Sequence, residues 1–164
     1  MKTMETLQQL IQNLNREIRE KGIDNALDLL NHFTQYVGDD WQSHYRTDKH
    51  EFQYSVLHKD EHLKLVLIYW NAYSKSEKHG HMKGGGLMRV LSGEIVETRF
   101  HPEDQETAIG SFRYAEGDLS YIHDALAYHV VENREHQPAV SLHLYCVGPN
   151  SDFGVWEEMG IHQN

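Results

Sequence analysis

The stretch Gly86-Leu-Met-Arg-Val-Leu-Ser-Gly-Glu-Ile-Val-Glu-Thr-Arg-Phe100 contains two apolar runs on either side of the turn sequence Ser92-Gly93. Short runs that mix apolar and β-branched residues are typical of β-strands, and a glycine between two such runs marks a turn. The sequence therefore predicts two strands, at residues 86–91 and 94–100, within an antiparallel sheet.

Similar runs lie on both sides of this pair. Residues 52–57 and 63–70 flank the polar turn His58-Lys-Asp-Glu-His62 and predict a hairpin. The remaining strand candidates are residues 110–114, 119–122, 128–132 and 139–146. Short strands separated by turns indicate a mainly β protein, built as an antiparallel sandwich or a small barrel.

Two α-helices are expected before the first strand. The first would end at Gly22, and its buried face at three- and four-residue spacing would carry Leu7, Leu10, Ile11, Leu14 and Ile18. The second would be capped by Asp24 and end near Gly38. Its buried face would carry Ala26, Leu27, Leu30, Phe33 and Val37.

The 164 residues are expected to form a single domain. The helices would occupy residues 1–40, the barrel residues 52–148, and an acidic tail residues 149–164. The tail also carries aromatic and apolar residues, so it is expected either to pack across the barrel mouth or to lie in a dimer interface. A monomer and a homodimer are equally compatible with the sequence.

Composition argues against two classes of partner. A net charge of -10 opposes contact with nucleic acid phosphates. No apolar run approaches the ~20 residues of a membrane span. The N-terminus lacks the apolar core of a secretion signal, and the single cysteine, Cys146, cannot form an internal disulfide. The expected location is therefore the cytoplasm.

Three histidines are candidate metal ligands. His79 and His81 point to the same side of an extended segment, because alternate residues share a face. His129 lies on a predicted strand and can meet them inside a barrel. Three neutral imidazoles suit a divalent first-row ion and leave coordination positions open for a substrate and oxygen.

A second polar set lies on the last predicted strand. Ser141, His143 and Tyr145 alternate along the chain and therefore share one face. Burying such groups without partners costs about 1–3 kcal/mol each. We therefore expect them to be hydrogen-bonded together, metal-bound or solvated in a pocket.

The order His79-Gly-His81, Gly93, Gly117, His129 and Asn133 resembles the two halves of the cupin motif. Within the cupins, the chain most resembles the cysteine dioxygenase or thiol dioxygenase family. The similarity runs from about residue 52 to residue 148, and its most specific string is Pro138-Ala-Val-Ser-Leu-His-Leu-Tyr145. The resemblance implies a cupin double-stranded β-helix barrel.

The resemblance also implies an iron enzyme. The family's three Fe(II) ligands match His79, His81 and His129, and its hydrogen-bonded triad beside the oxygen-binding position matches Ser141, His143 and Tyr145. The family adds both atoms of O2 to a small thiol and forms a sulfinic acid. The implied substrate is a small thiol carboxylate, either cysteine or 3-mercaptopropionate.

The chain departs from the family at two positions. Gly86 stands where many cupins have a glutamate ligand, and where animal cysteine dioxygenases have a cysteine joined to the catalytic tyrosine, so neither feature is expected. Cys146 should face away from the site. The family's carboxylate-binding arginine falls at Gln53 or Tyr54, and a one-residue slip changes which side chain faces the metal. These two residues and Met88 are the candidate substrate contacts.

Two other functions fit part of the pattern. A noncatalytic cupin that binds a metal or small molecule explains the barrel and the histidines, but it explains the spacing of the Ser-His-Tyr set poorly. A cupin isomerase, or a dioxygenase with a non-thiol substrate, fits less well because Gly86 replaces the glutamate ligand.

Overall fold

The computed structural model of the protein describes residues 5–44, 52–80, 84–123 and 128–146. Helices α1 (Leu7–Lys21) and α2 (Leu30–Gln35) are joined by a 3-10 helix at Ala26–Leu29, and a second 3-10 helix spans Asp40–His44. The strands are β1 (Phe52–Lys59), β2 (Leu63–Trp70), β3 (Gly86–Ser92), β4 (Glu94–Phe100), β5 (Ala108–Ala115), β6 (Leu119–Ile122), β7 (Tyr128–Glu132) and β8 (Ala139–Cys146). All eight predicted strands are confirmed. The predicted tail, residues 149–164, lies outside the described residues.

Helix α1 ends at the glycine that the sequence predicts. At its start, the Thr6 side chain accepts a hydrogen bond from the backbone N–H of Gln9, and the Gln9 side chain accepts one from the backbone N–H of Thr6. This capping box satisfies N–H groups that a helix leaves without partners. Gly22 has a φ of 63°, a left-handed conformation that favours glycine and ends the helix. No helix in the described ranges is long and apolar enough to cross a membrane.

The prediction for the second helix was partly wrong. The cap is Asn25 rather than Asp24, because the Asn25 side chain accepts a hydrogen bond from the Leu27 N–H. The first turn is a 3-10 helix, with about three residues per turn, so Leu29 faces the core and Leu27 is 45% exposed. Val37 lies beyond the end of α2 and is 60% exposed rather than buried.

The strands form two antiparallel sheets. One sheet has the strand order β1-β2-β8-β3-β6, and the other has the order β5-β4-β7. The predicted hairpin of β1 and β2 is present, with a register shift between Val56 and His58. A bulge of this kind places an extra residue in one strand and changes which of its side chains face inward.

Two apolar cores cover the two faces of the five-stranded sheet. The outer core joins α1 to residues such as Leu65 and Leu144. The inner core lies between the two sheets and joins Ile68 and Tyr145 to Val131 of β7. Strand β8 is buried along its whole length because one set of its alternate residues belongs to each core. The polar residues of the candidate site lie on the inner face.

Candidate metal centre and active site

His79 and His129 meet inside the barrel. His129 lies on β7, and His79 follows β2 in a segment that pairs with His129 as an isolated antiparallel bridge. Two backbone hydrogen bonds, of 3.0 and 2.8 Å, join the two residues. Both side chains are buried, and their Nε2 atoms lie 2.9 Å apart. The backbone pairing therefore brings the two imidazoles next to each other.

The other nitrogen of each ring contacts an oxygen that can only accept a hydrogen bond. The Nδ1 atom of His79 lies 2.8 Å from the backbone carbonyl oxygen of Glu77, and that of His129 lies 2.8 Å from the Glu97 carboxylate. Each Nδ1 therefore carries the proton. Burial, and then the nearby His129, lower the pKa of His79 to about 3. When both rings are neutral, two Nε2 lone pairs face each other.

This arrangement fits a divalent metal ion. Imidazole nitrogens bind such ions at about 2.0–2.1 Å, so two imidazoles at right angles around one ion lie about 3 Å apart. The observed separation of 2.9 Å agrees with that value. His81 lies outside the described residues, and no group of three or more His, Cys, Asp or Glu side chains that could hold a metal occurs within them. The structure thus brings together two of the three predicted ligands.

Glu97 is a site residue that the sequence analysis missed. It lies on β4, is fully buried, and accepts hydrogen bonds from His129 and, at 2.7 Å, from the Ser120 hydroxyl. Burial alone would raise the pKa of Glu97, but these bonds and the charge of Arg99 lower it to about 2. The carboxylate is therefore ionised. Its place on the same strand face as Ile95 is the sequence signal that could have identified it.

Ser141, His143 and Tyr145 form the expected hydrogen-bonded row along β8. The Nε2 atom of His143 lies 2.7 Å from the Ser141 hydroxyl, and its Nδ1 atom lies 3.1 Å from the Tyr145 hydroxyl. The indole N–H of Trp70 donates to the Ser141 oxygen at 2.8 Å. These contacts hold the imidazole and the phenol in fixed positions on the inner face.

Burial keeps this row uncharged. It lowers the pKa of His143 to about 3, with His129 and His79 adding to the effect, and it raises the pKa of Tyr145. A neutral imidazole has a single N–H, so the directions of the two bonds are linked. If Ser141 donates to Nε2, the Nδ1–H donates to the Tyr145 oxygen. In that arrangement Tyr145 directs its own O–H away from His143.

The two imidazoles of the candidate metal centre share one cavity with His143 and Tyr145 of the β8 row. The cavity has a volume of about 280 Å³ including its opening to solvent. The lining consists of Ile68, Trp70, Ser76, His79, His129, Val131, His143 and Tyr145. Met88 lies opposite His143 in the β3–β8 register and packs in the inner core. The cavity therefore combines apolar walls with two imidazoles of the candidate metal centre and one phenol.

Gly86 lies directly opposite Tyr145 in the β3–β8 register. A side chain at this position would lie beside the phenol, but glycine supplies neither a carboxylate nor a thiol. Cys146 belongs to the outer core, on the other face of β8 from Tyr145. The described residues therefore place no thiol on the Tyr145 side of β8.

Strand β1 presents Tyr54, not Gln53, to the inner core. Tyr54 packs against that core, whereas Gln53 lies opposite Tyr69 and lines a separate cavity with Trp41. Both polar atoms of the Gln53 amide are buried there without a hydrogen-bond partner. Gln53 therefore does not line the histidine cavity, and of the two alternatives only Tyr54 lies on the inner side.

The chain shares its architecture with solved structures that contain a cupin or double-stranded β-helix domain. The chain superposes on the Cnp3 cupin domain of Schizosaccharomyces pombe with a TM-score of 0.54 and 14% identity, over 77% of this chain and 82% of that one. A conserved Klebsiella pneumoniae protein with a double-stranded β-helix domain gives a TM-score of 0.56 at 16% identity, over 68% and 89% of the two chains. These likenesses establish the fold as the cupin β-barrel.

Sequence relatives identify the family. The chain is 29% identical over 150 residues to cysteine dioxygenase type 1 of Danio rerio, which covers 86% of this chain and 74% of the relative. It is 30% identical over 112 residues to the human protein of the same name, over 65% of this chain and only 56% of the relative. The family model for cysteine dioxygenase type I matches residues 1–157. The chain therefore belongs to the cysteine dioxygenase type I family.

Proposed function

We propose that the protein is an Fe(II)-dependent thiol dioxygenase that converts a small thiol and O2 to the sulfinic acid. The observation that carries the proposal is the shared cavity, in which the Nε2 atoms of His79 and His129 converge beside the hydroxyl-bearing row that ends at Tyr145. Family membership supports the reaction class.

The proposed iron ligands are His79, His81 and His129. Imidazole is a common ligand of first-row metals, and three imidazoles without a carboxylate ligand leave positions for other groups. When bound, Fe(II) would supply the chemistry that joins the thiol sulfur to oxygen. The net reaction is balanced, because one thiol and one O2 give one sulfinic acid.

Tyr145 is the proposed proton donor. Its raised pKa keeps the phenol protonated at working pH, and His143 and Ser141 hold its oxygen in place. A hydrogen bond from a fixed phenol stabilises negative charge that develops on a reacting oxygen, because the donor needs no reorganisation during the reaction. Trp70 and Val131 form apolar walls that exclude water from this end of the cavity.

The thiol is proposed to carry a carboxylate, with cysteine and 3-mercaptopropionate as the two candidates. The described lining of the cavity contains no Lys or Arg, and Tyr54 takes the inward position on β1. Tyr54 and Met88 are the proposed substrate contacts. A hydroxyl group at this position favours a hydrogen bond to the carboxylate over a guanidinium ion pair. The protein is proposed to act in the reducing cytoplasm. It is proposed to be either a monomer or a homodimer.

The test is O2 consumption and sulfinate formation by the iron-loaded protein with each thiol. Oxidation of one thiol is expected, and His79→Ala and His129→Ala should each lose both bound iron and turnover. His136→Ala is the matched control, because His136 is exposed in a turn away from the cavity and should keep both. Iron binding without thiol oxidation would instead support a noncatalytic metal-binding cupin. Undiminished turnover in both alanine variants would disprove the ligand assignment.

A further inference from the structure

His79 and His129 differ in the group that contacts the Nδ1 atom of each ring. The Nδ1–H of His79 donates to a neutral backbone carbonyl group, whereas the Nδ1–H of His129 donates to the carboxylate of Glu97, which also pairs with Arg99. Nδ1 and Nε2 lie on opposite sides of an imidazole ring. Glu97 therefore cannot be a ligand of an ion held by the Nε2 atom of His129, but it can act on that ion through the ring.

Three groups contact the Glu97 carboxylate, and they come from His129, Ser120 and Arg99. The Ser120 hydroxyl donates to one oxygen at 2.7 Å, and the guanidinium of Arg99 lies 3.2 Å from the other. Arg99 is in turn fixed by a 2.9 Å bond to Ser120 and a 2.8 Å bond to the carbonyl oxygen of Tyr121. Burying a carboxylate is costly unless other groups pair with it, and two groups besides His129, the Ser120 hydroxyl and the Arg99 guanidinium, do so here.

We propose that Glu97 is a positioning residue for the metal centre, which fixes the Nδ1–H tautomer of His129 and strengthens its Nε2 atom as a ligand; this rests on the proposed function. A carboxylate behind a ligating histidine orients the ring and raises its basicity. The chain thus lacks a carboxylate ligand opposite Tyr145, at Gly86, but places a negative charge one ring away from the ion.

The first experiment measures metal binding. Zn(II) in air, and Fe(II) without oxygen, are titrated into the metal-free wild type, Glu97→Gln and the control Glu94→Gln, which removes a surface carboxylate from the same strand. Glu97→Gln should bind both ions about 10- to 100-fold more weakly. Glu94→Gln should bind like the wild type. Equal affinity of Glu97→Gln and the wild type would overturn the positioning role and leave the proposed function standing.

A second variant guards against misfolding. If Glu97→Gln does not fold because Arg99 loses its partner, the double variant Glu97→Gln/Arg99→Met removes both charges together and should fold with the same weakened metal binding. Wild-type affinity in the folded double variant would overturn the proposal.

The tautomer itself is read by nitrogen NMR of the metal-free protein. His129 of the wild type should carry its proton on Nδ1, and Glu97→Gln should populate the other tautomer to a greater extent. A proton on Nε2 in the wild type would overturn the positioning role without any metal present. A wild type that shows the Nδ1–H tautomer and yet binds neither ion would overturn the proposed function instead.

Discussion

At the scale of single residues, removing the Tyr145 hydroxyl is the most direct test of the proposed chemistry. Tyr145→Phe removes one oxygen from a buried position and leaves the metal-binding nitrogens of His79 and His129 untouched. We expect folded protein with normal iron content and thiol oxidation slower by about 100-fold, in the range for loss of a positioned proton donor. Turnover and the ratio of sulfinate formed to O2 consumed are the measurements. Tyr73→Phe, at a 70% exposed position, is the control and should behave as the wild type. Normal turnover and coupling in Tyr145→Phe would remove the donor role.

His143 provides a second residue-level prediction. Its pKa is lowered from 6.5 to about 3 because the ring is buried, so between these values the unfolded chain binds a proton that the folded protein does not. The free energy of unfolding therefore falls as the pH falls through this range, by about 2 kcal/mol between pH 7 and pH 5 from this group alone. Denaturant unfolding of metal-free protein measures this change. The free energy of unfolding of His143→Leu should decrease less between pH 7 and pH 5 than that of the wild type. An unchanged slope would mean that His143 is not neutral in the folded state.

Residue-level prediction succeeded where strand parity was unbroken. Ser141, His143 and Tyr145 lie on one uninterrupted strand, and their shared face could be predicted by counting alternate residues. The choice between Gln53 and Tyr54 could not be made this way, because the bulge in β1 lies between them and the hairpin from which the count starts. A bulge changes which alternate residues face inward, so counting alternate residues across it does not predict the face of a side chain.

Glu97 was missed for a different reason. A glutamate within a strand is usually solvated, and its burial depends on donors from Arg99 and from Ser120, which lies on another sheet. Ser120 and His129, which also contact the carboxylate, are distant in sequence from Glu97. Strand parity with Ile95 indicates that the Glu97 side chain faces inward, but it does not predict that the carboxylate contacts His129, so that contact required the three-dimensional structure.

At the scale of elements, the Asp40 carboxylate fastens the N-terminal helices together. One oxygen accepts a 2.9 Å bond from the backbone N–H of Leu7 at the start of α1, and the other accepts a 2.6 Å bond from the Tyr36 hydroxyl just after α2. This contact lies in a 3-10 helix that the sequence analysis did not predict, whereas the α1 boundaries follow from its own caps and periodicity. Nearby residues therefore predict where α1 begins and ends, whereas its contact with the residue after α2 depends on Asp40, which is distant in sequence from α1.

Asp40→Ala should therefore lower the free energy of unfolding by about 1–3 kcal/mol, since it leaves a helix N–H and a buried hydroxyl without their acceptor. Iron binding should not change, because Asp40 lies on the far side of the outer core from the cavity. Chemical denaturation of metal-free protein is the measurement. Asp39→Ala, which removes a neighbouring exposed carboxylate, is the matched control and should be nearly neutral. If both variants lost equal stability, net charge rather than the Asp40 bonds would be responsible.

At the scale of the whole molecule, the proposed metal joins two residues that lie 50 positions apart in the chain. His79 follows β2 of the five-stranded sheet, and His129 lies on β7 of the three-stranded sheet. Sequence spacing could predict that the histidines meet, because the family motif fixes both, but it could not show that their backbones pair directly. An ion held at this pairing binds only the folded state, because the two histidines meet only after folding.

Metal should therefore stabilise the entire fold. A ligand at 100 times its dissociation constant adds about 2.7 kcal/mol to the free energy of unfolding. For a chain of this size that corresponds to a rise in Tm of about 5–10 °C. Thermal unfolding followed by circular dichroism, with and without Zn(II), measures the shift. His129→Ala should show none, while His136→Ala should show the full shift. An equal rise in His129→Ala would place the bound ion at another site and separate metal binding from the cavity that holds Tyr145.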